Sequence, residues 1–204
     1  MKKINPHHLT ETNEHFTPPE IIVASHRTMG NIDLDPASCQ SAKLWVNAKN
    51  IFTKEDDGLN QNWSGNIFLN PPGGICQNKQ AIARYKVKSS QAVWLQKLNE
   101  EYKRSYVNQA IFVAFNLEIN RYCQWIDKYP FCRPFKRIKY YSCDREGTIK
   151  SGQYSNIQKK WTDASPHATI IFFFPPKNNP MVAITKFKKH FKKIGVCRNG
   201  YNYI

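Results

Sequence analysis

The sequence predicts an α/β domain of three layers, on three observations. Short apolar runs bounded by turn residues alternate with segments of helical period, and two apolar runs fall close together late in the chain. No internal repeat or low-complexity tract breaks that alternation. A chain of 204 residues suffices for one well-buried domain and is short for two, and its 41% hydrophobic and 13% aromatic content suits a globular core. The expected organisation is a flexible tail over residues 1–15 and a single domain over 16–204, with loop insertions near 73–91 and 142–167.

The first element is read as a helix. Thr17-Pro18-Pro19-Glu20 combines a capping hydroxyl, a proline at the first helical position and an acid three residues after the cap. Ile21, Ile22, Val23 and Ala24 carry the helix on, and Gly30 stops it. Residues 31–34 read as a short strand broken at Asp35-Pro36, residues 38–48 as a helix, and 51–53 as a second short strand. After the turn-rich Glu55-Asp56-Asp57-Gly58 comes Trp63, then the apolar strand Ile67-Phe68-Leu69. The polar, basic stretch 73–91 reads as a mobile loop. Val93, Trp94, Leu95, Leu98 and Tyr102 follow a helical period over 92–106, and 110–115 is a continuous apolar run typical of a buried strand. A helix through Ile119, Tyr122, Cys123 and Ile126 follows. Residues 136–141 and 168–174 read as two late strands, separated by a segment too long for a simple hairpin. The last helix, over 182–194, gathers Ile184, Phe187, Phe191 and Ile194 on one face, with Gly195 as its stop.

The formal net charge is +15 and the isoelectric point near 9.6. A charge of that sign and size speaks to partners rather than to fold, and polyanionic nucleic acid is the partner it fits. The lysines of the last helix (Lys186, Lys188, Lys189, Lys192, Lys193) read either as a solvated face or as a phosphate-contacting stripe. The six cysteines form no Cys-x-x-Cys pair and no zinc-finger spacing with histidine, so no metal site is expected and the thiols read as reduced. His7-His8 reads as part of a solvated tail. Neither a signal peptide nor a membrane-spanning stretch is visible, which points to the cytoplasm.

The segment richest in chemistry is Asn70-Pro71-Pro72-Gly73, directly after Ile67-Phe68-Leu69. Asn-Pro also starts ordinary turns, so a strand-ending turn is the plain alternative. The chemical reading is sharper. An exocyclic or amide nitrogen is a poor nucleophile because its lone pair is delocalised, and two fixed acceptors set against its two N–H bonds improve it. The Asn70 side-chain oxygen and the Pro71 carbonyl are the candidate acceptors. Proline fixes φ and pushes the preceding residue to extended geometry, so Pro71 and Pro72 aim those oxygens rigidly.

Four segments in one order extend the pattern: Phe16-Thr17-Pro18-Pro19-Glu20, Ile32-Asp33-Leu34-Asp35-Pro36-Ala37-Ser38, Phe52-Thr53 followed by Asp56-Asp57-Gly58-Leu59, and Trp63-Ser64-Gly65-Asn66-Ile67-Phe68-Leu69-Asn70-Pro71-Pro72. Together they resemble the phage-type DNA N6-adenine methyltransferase (Dam-like) family. The resemblance is dense from Phe16 to Gly74 and thinner from there to Gly195. It implies a Rossmann-like methyltransferase fold whose mostly parallel sheet has an antiparallel strand near the C-terminus. It also implies S-adenosylmethionine as cofactor, DNA as substrate, and a bacterial or phage-infected host cell as setting.

Carried over residue by residue, the resemblance makes Asn70, Pro71 and Pro72 catalytic. Asp33, Asp35 and Pro36 would face the cofactor at the end of the first strand, Asp57 would reach its adenosyl part, and Phe16 and Thr17 would flank it. The helix starting at Thr17 would offer free N–H groups to its carboxylate. Open α/β sheets bind ligands beyond the carboxyl ends of their strands, where Asp35 and Asn70 are both expected. The target adenine would be flipped from duplex DNA, since its amine cannot be reached while stacked. Basic residues in two segments would contact phosphate, namely Lys79, Arg84, Lys86 and Lys88, and Arg145, Lys150, Lys159 and Lys160.

Two departures stand out. The family usually carries an aromatic residue after Asn-Pro-Pro, stacked on the flipped base, where this chain has Gly73 and Gly74. Phe115 or Tyr85 would have to provide the ring instead. In addition, Asp35-Pro36-Ala37-Ser38 stands in place of the glycine-rich first loop of larger methyltransferases, as it does in the phage-type family. Gly73 leaves open a DNA-binding module of weak or no catalysis, and the same Asn-Pro-Pro chemistry would serve an RNA, cytosine-N4 or protein-glutamine target.

Overall fold

The computed structural model describes residues 15–115, 118–143, 149–155, 160–162 and 168–201. In chain order the first half comprises α1 (Pro19–Met29), β1 (Leu34–Asp35), α2 (Gln40–Val46), β2 (Asn50–Ile51), β3 (Gly65–Leu69), α3 (Lys79–Tyr85), α4 (Ser90–Lys103) and β4 (Val107–Ala114). The second half comprises α5 (Ile119–Tyr122), β5 (Phe131–Pro134), β6 (Tyr141–Cys143), β7 (Ile149–Ser151), β8 (Gln153–Ser155), β9 (Lys160–Thr162), β10 (Ile170–Phe174), α6 (Pro180–Phe191) and β11 (Gly195–Arg198).

One seven-stranded sheet has the order β11-β5-β10-β4-β3-β1-β2. Strands β2, β1, β3 and β4 are parallel, β10 runs antiparallel between β4 and β5, and β11 runs antiparallel to β5. The sheet is therefore mixed, with two reversed strands where one was expected. Period-two alternation divides the core. Ile67, Leu69, Ala110, Phe112, Phe172 and Phe174 face α4 with Trp94, Leu95 and Leu98. Phe68, Ile111, Val113, Ile171 and Phe173 face α1 and α6 with Ile21, Ile184, Phe187 and Phe191. Both layers are needed because β3, β4 and β10 are apolar on both faces. The expected three-layer α/β architecture is present.

Several local expectations are corrected. Helix α1 starts at Pro19 behind Pro18, not at Thr17, and no side chain among the described residues caps it. The amides of Ile21 and Ile22 turn instead to the Pro18 carbonyl, which leaves the Thr17 hydroxyl outside the cap. The stretch 73–91 is not a bare loop. Asn78 accepts a hydrogen bond from the Ala81 amide at 2.8 Å and caps α3, whose Arg84 and Tyr85 bond Glu100 on α4. Residues 136–141 do not join the main sheet; β5 forms earlier, at Phe131–Pro134. Ile138 and Tyr140 are both buried, and that alternation imitates a strand, but among the described residues only Tyr141 of this stretch lies in a strand, as the start of β6. Strand β11, just after the expected stop at Gly195, escaped the sequence reading. Between the two late strands, the described residues form two antiparallel ladders, β6–β7 and β8–β9. Residues 1–14, including His7-His8, lie outside the described residues, as do Arg145 and Lys159.

Candidate functional site

Strand β3 must end at Leu69, because neither Pro71 nor Pro72 has an N–H to continue a ladder. Leu69 pairs with Phe112, and Leu34 with Ile67. That register brings Asn70 and Asp35 to the same carboxyl-end edge of neighbouring parallel strands, where ligands bind in open α/β sheets.

The Asn70 side chain is held at one end only. Its Nδ2 donates to the His15 carbonyl at 3.0 Å. A carbonyl can only accept, so this contact fixes which end of the amide is nitrogen and turns Oδ1 the other way. Oδ1 is buried and has no hydrogen-bond partner among the described residues. An Asx turn would need Oδ1 to accept from an N–H two residues on, and residue 72 is proline. Asn70 is thus no Asx turn. A buried amide oxygen left unsatisfied costs about 1–3 kcal/mol, which a ligand N–H would recover. The Pro71 carbonyl accepts no backbone hydrogen bond among the described residues.

The segment 15–17 is laid across this edge by the chain itself. Phe16 bridges Tyr141 through two backbone hydrogen bonds of 2.8 and 2.9 Å. Trp45 of α2 donates its indole N–H to the Thr17 carbonyl at 2.6 Å and packs its ring against Phe16 and Tyr141. Thr17 is buried, and its Oγ1, a hydroxyl that can both donate and accept, has no partner among the described residues. One orphaned polar atom thus belongs to Asn70 itself, and the other lies two residues after the His15 carbonyl that Asn70 holds.

Asp35 is only 4% exposed and joins no ion pair among the described residues. Burial pushes its carboxyl up to about 7, while the Ser38 side chain and the Ala37 amide, 3.4 Å away, pull weakly against that rise. A buried carboxyl with so little support suits a cationic or hydroxyl-bearing ligand. Asp57 closes the same edge. Gly58 is pressed so tightly on the preceding loop that a Cβ there would lie 2.1 Å from the Pro36 carbonyl oxygen. Asp57 itself has φ of 49° and accepts from Asn60 at 2.9 Å and from Asn78 at 2.8 Å. It thereby ties the Asp35-Pro36 loop to the segment after Asn-Pro-Pro-Gly.

Asp33 is not brought to this site. Its carboxylate meets Lys49 at 2.7 Å, the Asn31 amide, and the backbone N–H of Asn66 at 2.9 Å, at the amino ends of β1 and β3. Burial alone would raise its pKa, but Lys49, Asn66 and Asn31 together hold it below the usual carboxylate range. Asn66, Asn108 and Gln109 continue a polar network there. An open hollow of about 440 Å³ beside Asp33, lined also by Asn50, Phe52 and Ser64, belongs to this end of the sheet and not to Asn70.

Tyr85 is likewise drawn away, donating its hydroxyl to Glu100 at 2.7 Å. The exposed lysines of α6 lie on the sheet face opposite α3 and α4, so of the two basic helices only α3 adjoins the loop after Asn70. His15, Trp45 and Asn78 escaped the sequence reading as site residues. Asn78 before Lys-Gln-Ala-Ile-Ala was a readable cap signal; the other two act over distances of 55 and 28 residues and leave no local trace. Among the described residues no cluster of metal-ligating side chains occurs, and no helix is long and apolar enough to cross a membrane. Comparison with protein-family models, curated proteins and solved structures finds no match.

Proposed function

We propose that this chain is a DNA adenine-N6 methyltransferase using S-adenosylmethionine, on a Rossmann-like methyltransferase fold and in the cytoplasm of a bacterial or phage-infected cell. The observation that carries the reading is the buried, oriented and unpartnered Oδ1 of Asn70. The reversed β10 between two strands of the main direction agrees with the antiparallel strand that the resemblance implies.

The residues present fit the cofactor. The orphaned Thr17 hydroxyl and the poorly supported Asp35 carboxyl are polar groups awaiting a ligand. Thr17, Asp35 and Pro36 would hold it, with Phe16 and Asp57 closing the edge. When bound, S-adenosylmethionine supplies an electrophilic methyl group. Asn70 Oδ1 and the Pro71 carbonyl accept the two N–H bonds of the flipped base's amine, turning its lone pair out of the ring plane. Because Asn70 is anchored through Nδ2 and Pro71 through its ring, neither acceptor needs to reorganise during the reaction. Asn70 and Pro71 carry no basic group, so the proton that the amine releases passes to water. Lys79, Lys86 and Lys88 lie on and beside α3 and would contact phosphate, as would Arg84 if it left its ion pair with Glu100, with sequence choice left to base-edge contacts.

The test uses radiolabelled S-adenosylmethionine with methyl-free DNA, followed by nucleoside analysis. Labelled N6-methyladenine is expected. Label in N4-methylcytosine or in RNA would move the same chemistry to another nitrogen, and absence of label from every nucleic acid would sink the reading. Gly73 favours one other reading, a DNA-binding module of weak or no catalysis, which need not take up the cofactor in calorimetry.

A further inference from the structure

We propose that Phe115, at the end of β4, supplies the aromatic face for the target base that Gly73 lacks. The proposal rests on the functional reading above and names a residue that would touch the base. A Cβ built on Gly73 would lie 3.0 Å from Cε2 and 3.1 Å from Cζ of Phe115. The Phe115 ring thus occupies the volume into which a side chain at position 73 would project.

The backbone explains how a residue so distant in sequence arrives there. Strands β3 and β4 are parallel neighbours with Leu69 opposite Phe112. Both leave the sheet at the same edge, and Phe115 follows Ala114 just as Asn70 follows Leu69. Gly73 does not adopt the left-handed conformation, whereas Gly74 does, with φ of 73°. No left-handed φ bars a side chain at 73, and the nearest atoms a Cβ would crowd are those of the Phe115 ring, which would have to give by a few tenths of an ångström. The ring is braced from behind: Tyr140 meets it edge-on at 6.3 Å, and Tyr140 is itself buried with its hydroxyl 3.3 Å from that of Thr169. Phe115 is half-buried, neither lost in the core nor free in solvent. A braced ring at the mouth of an amine-binding site costs little entropy to use as a stacking platform.

Such stacking predicts a reciprocal relation between the two positions. Phe115→Leu keeps apolar packing against Tyr140 but removes the π-face. It should lower kcat/KM for methyl-free DNA about 5- to 150-fold, while S-adenosylmethionine affinity stays within about twofold. Phe115→Trp should retain most activity. Gly73→Phe alone should lose activity because its ring meets Phe115. The double variant Gly73→Phe with Phe115→Ala should recover activity well above Phe115→Ala alone, since the ring is returned to the same volume from the neighbouring strand.

Methyl transfer to DNA, calorimetry with S-adenosylmethionine and thermal melting would be measured on each full-length variant. Melting identifies any variant that fails to fold, and Phe115→Leu with Phe115→Trp then decides. Loss in the first with retention in the second supports the proposal. Parental activity in Phe115→Leu overturns it, and so does a double variant no better than Phe115→Ala. A parental chain that methylates no nucleic acid would instead sink the functional reading itself, and this proposal with it.

Discussion

Replacing Asn70 with alanine separates a catalytic acceptor from a structural one, because the two roles predict opposite balances of stability and activity. The substitution removes the Nδ2 bond to the His15 carbonyl, a loss of about 1 kcal/mol for an ordinary hydrogen bond. It also removes Oδ1, whose unsatisfied burial already costs the folded chain about 1–3 kcal/mol. These contributions oppose each other, so stability should change by no more than about 1 kcal/mol, and an increase would be unsurprising. Activity behaves differently. Removing one preorganised partner of a developing charge typically costs about 10²- to 10³-fold in rate. Urea unfolding followed by tryptophan fluorescence would give the first quantity, and methyl incorporation into DNA the second. Asn70→Asp provides the contrast. It keeps an oxygen but sets an acceptor against the His15 carbonyl, and should be destabilised by about 1–3 kcal/mol. If Asn70→Ala loses more than about 2 kcal/mol of stability, or keeps parental activity, the argument from the orphaned oxygen fails.

Further predictions follow from the same geometry. Asp35 keeps a proton in the folded state up to about pH 7, which the unfolded chain gives up near 3.8. Its contribution to stability is thus fully present below about pH 4 and is lost as pH rises towards 7, by at most about 4 kcal/mol. Urea midpoints of Asp35→Asn should lack that decline, and equal pH slopes in the two proteins would count against a buried neutral carboxyl. Asp33→Ala should cost about 1–2 kcal/mol of stability through the Asn66 amide, yet leave S-adenosylmethionine affinity unchanged in calorimetry. Gly58→Ala should do both kinds of damage, destabilising by about 1–3 kcal/mol and weakening cofactor binding, because its Cβ meets the Pro36 carbonyl. Lys97 and Glu101 form a buried pair at 2.5 Å, so Lys97→Ala should cost about 3–5 kcal/mol in denaturant titrations. The apolar pair Lys97→Met with Glu101→Leu should be close to parental stability.

The parts of the fold that were legible in the sequence are those where one period runs long enough to be read. Trp94, Leu95, Leu98 and Tyr102 announce α4, the apolar run through Phe112 announces β4, and Ile184, Phe187 and Phe191 announce α6. Short elements were misplaced because local cues outweigh period in them. Thr17-Pro18-Pro19-Glu20 has the composition of a capping box, yet the adjacent prolines move the cap to Pro18. Lysines between Gly73 and Gln91 suggested solvent and loop, while Asn78 had already set the start of α3. At the site, Asn70, Pro71 and Asp35 could be named because their residue types are tied to the chemistry. Asp33 was grouped with Asp35 by adjacency in sequence, yet its carboxylate is taken up by Lys49, Asn31 and the Asn66 amide at the start of β3, while Asp35 is buried with little support. The His15 carbonyl that orients Asn70 could not have been read at all, since any residue offers a carbonyl.

Orphaned polar atoms do not by themselves designate a site. Asn99 on α4 also holds a buried side-chain oxygen without a partner among the described residues, and it lies in the helical layer rather than at a strand end. What sets Asn70 and Thr17 apart is convergence. Both stand where the carboxyl ends of parallel strands leave the sheet, one is oriented by a contact that only an amide nitrogen can make, and a weakly supported buried carboxyl lies on the adjoining strand. A fold keeps a single unsatisfied group through accident of packing. Keeping a hydroxyl and an amide oxygen unsatisfied beside a weakly supported buried carboxyl costs about 2–6 kcal/mol for the two orphaned atoms alone, a large share of a typical domain's net stability. That burden is reasonable only where a ligand regularly removes it, and an amine with two N–H bonds beside a cationic cofactor is a ligand that would.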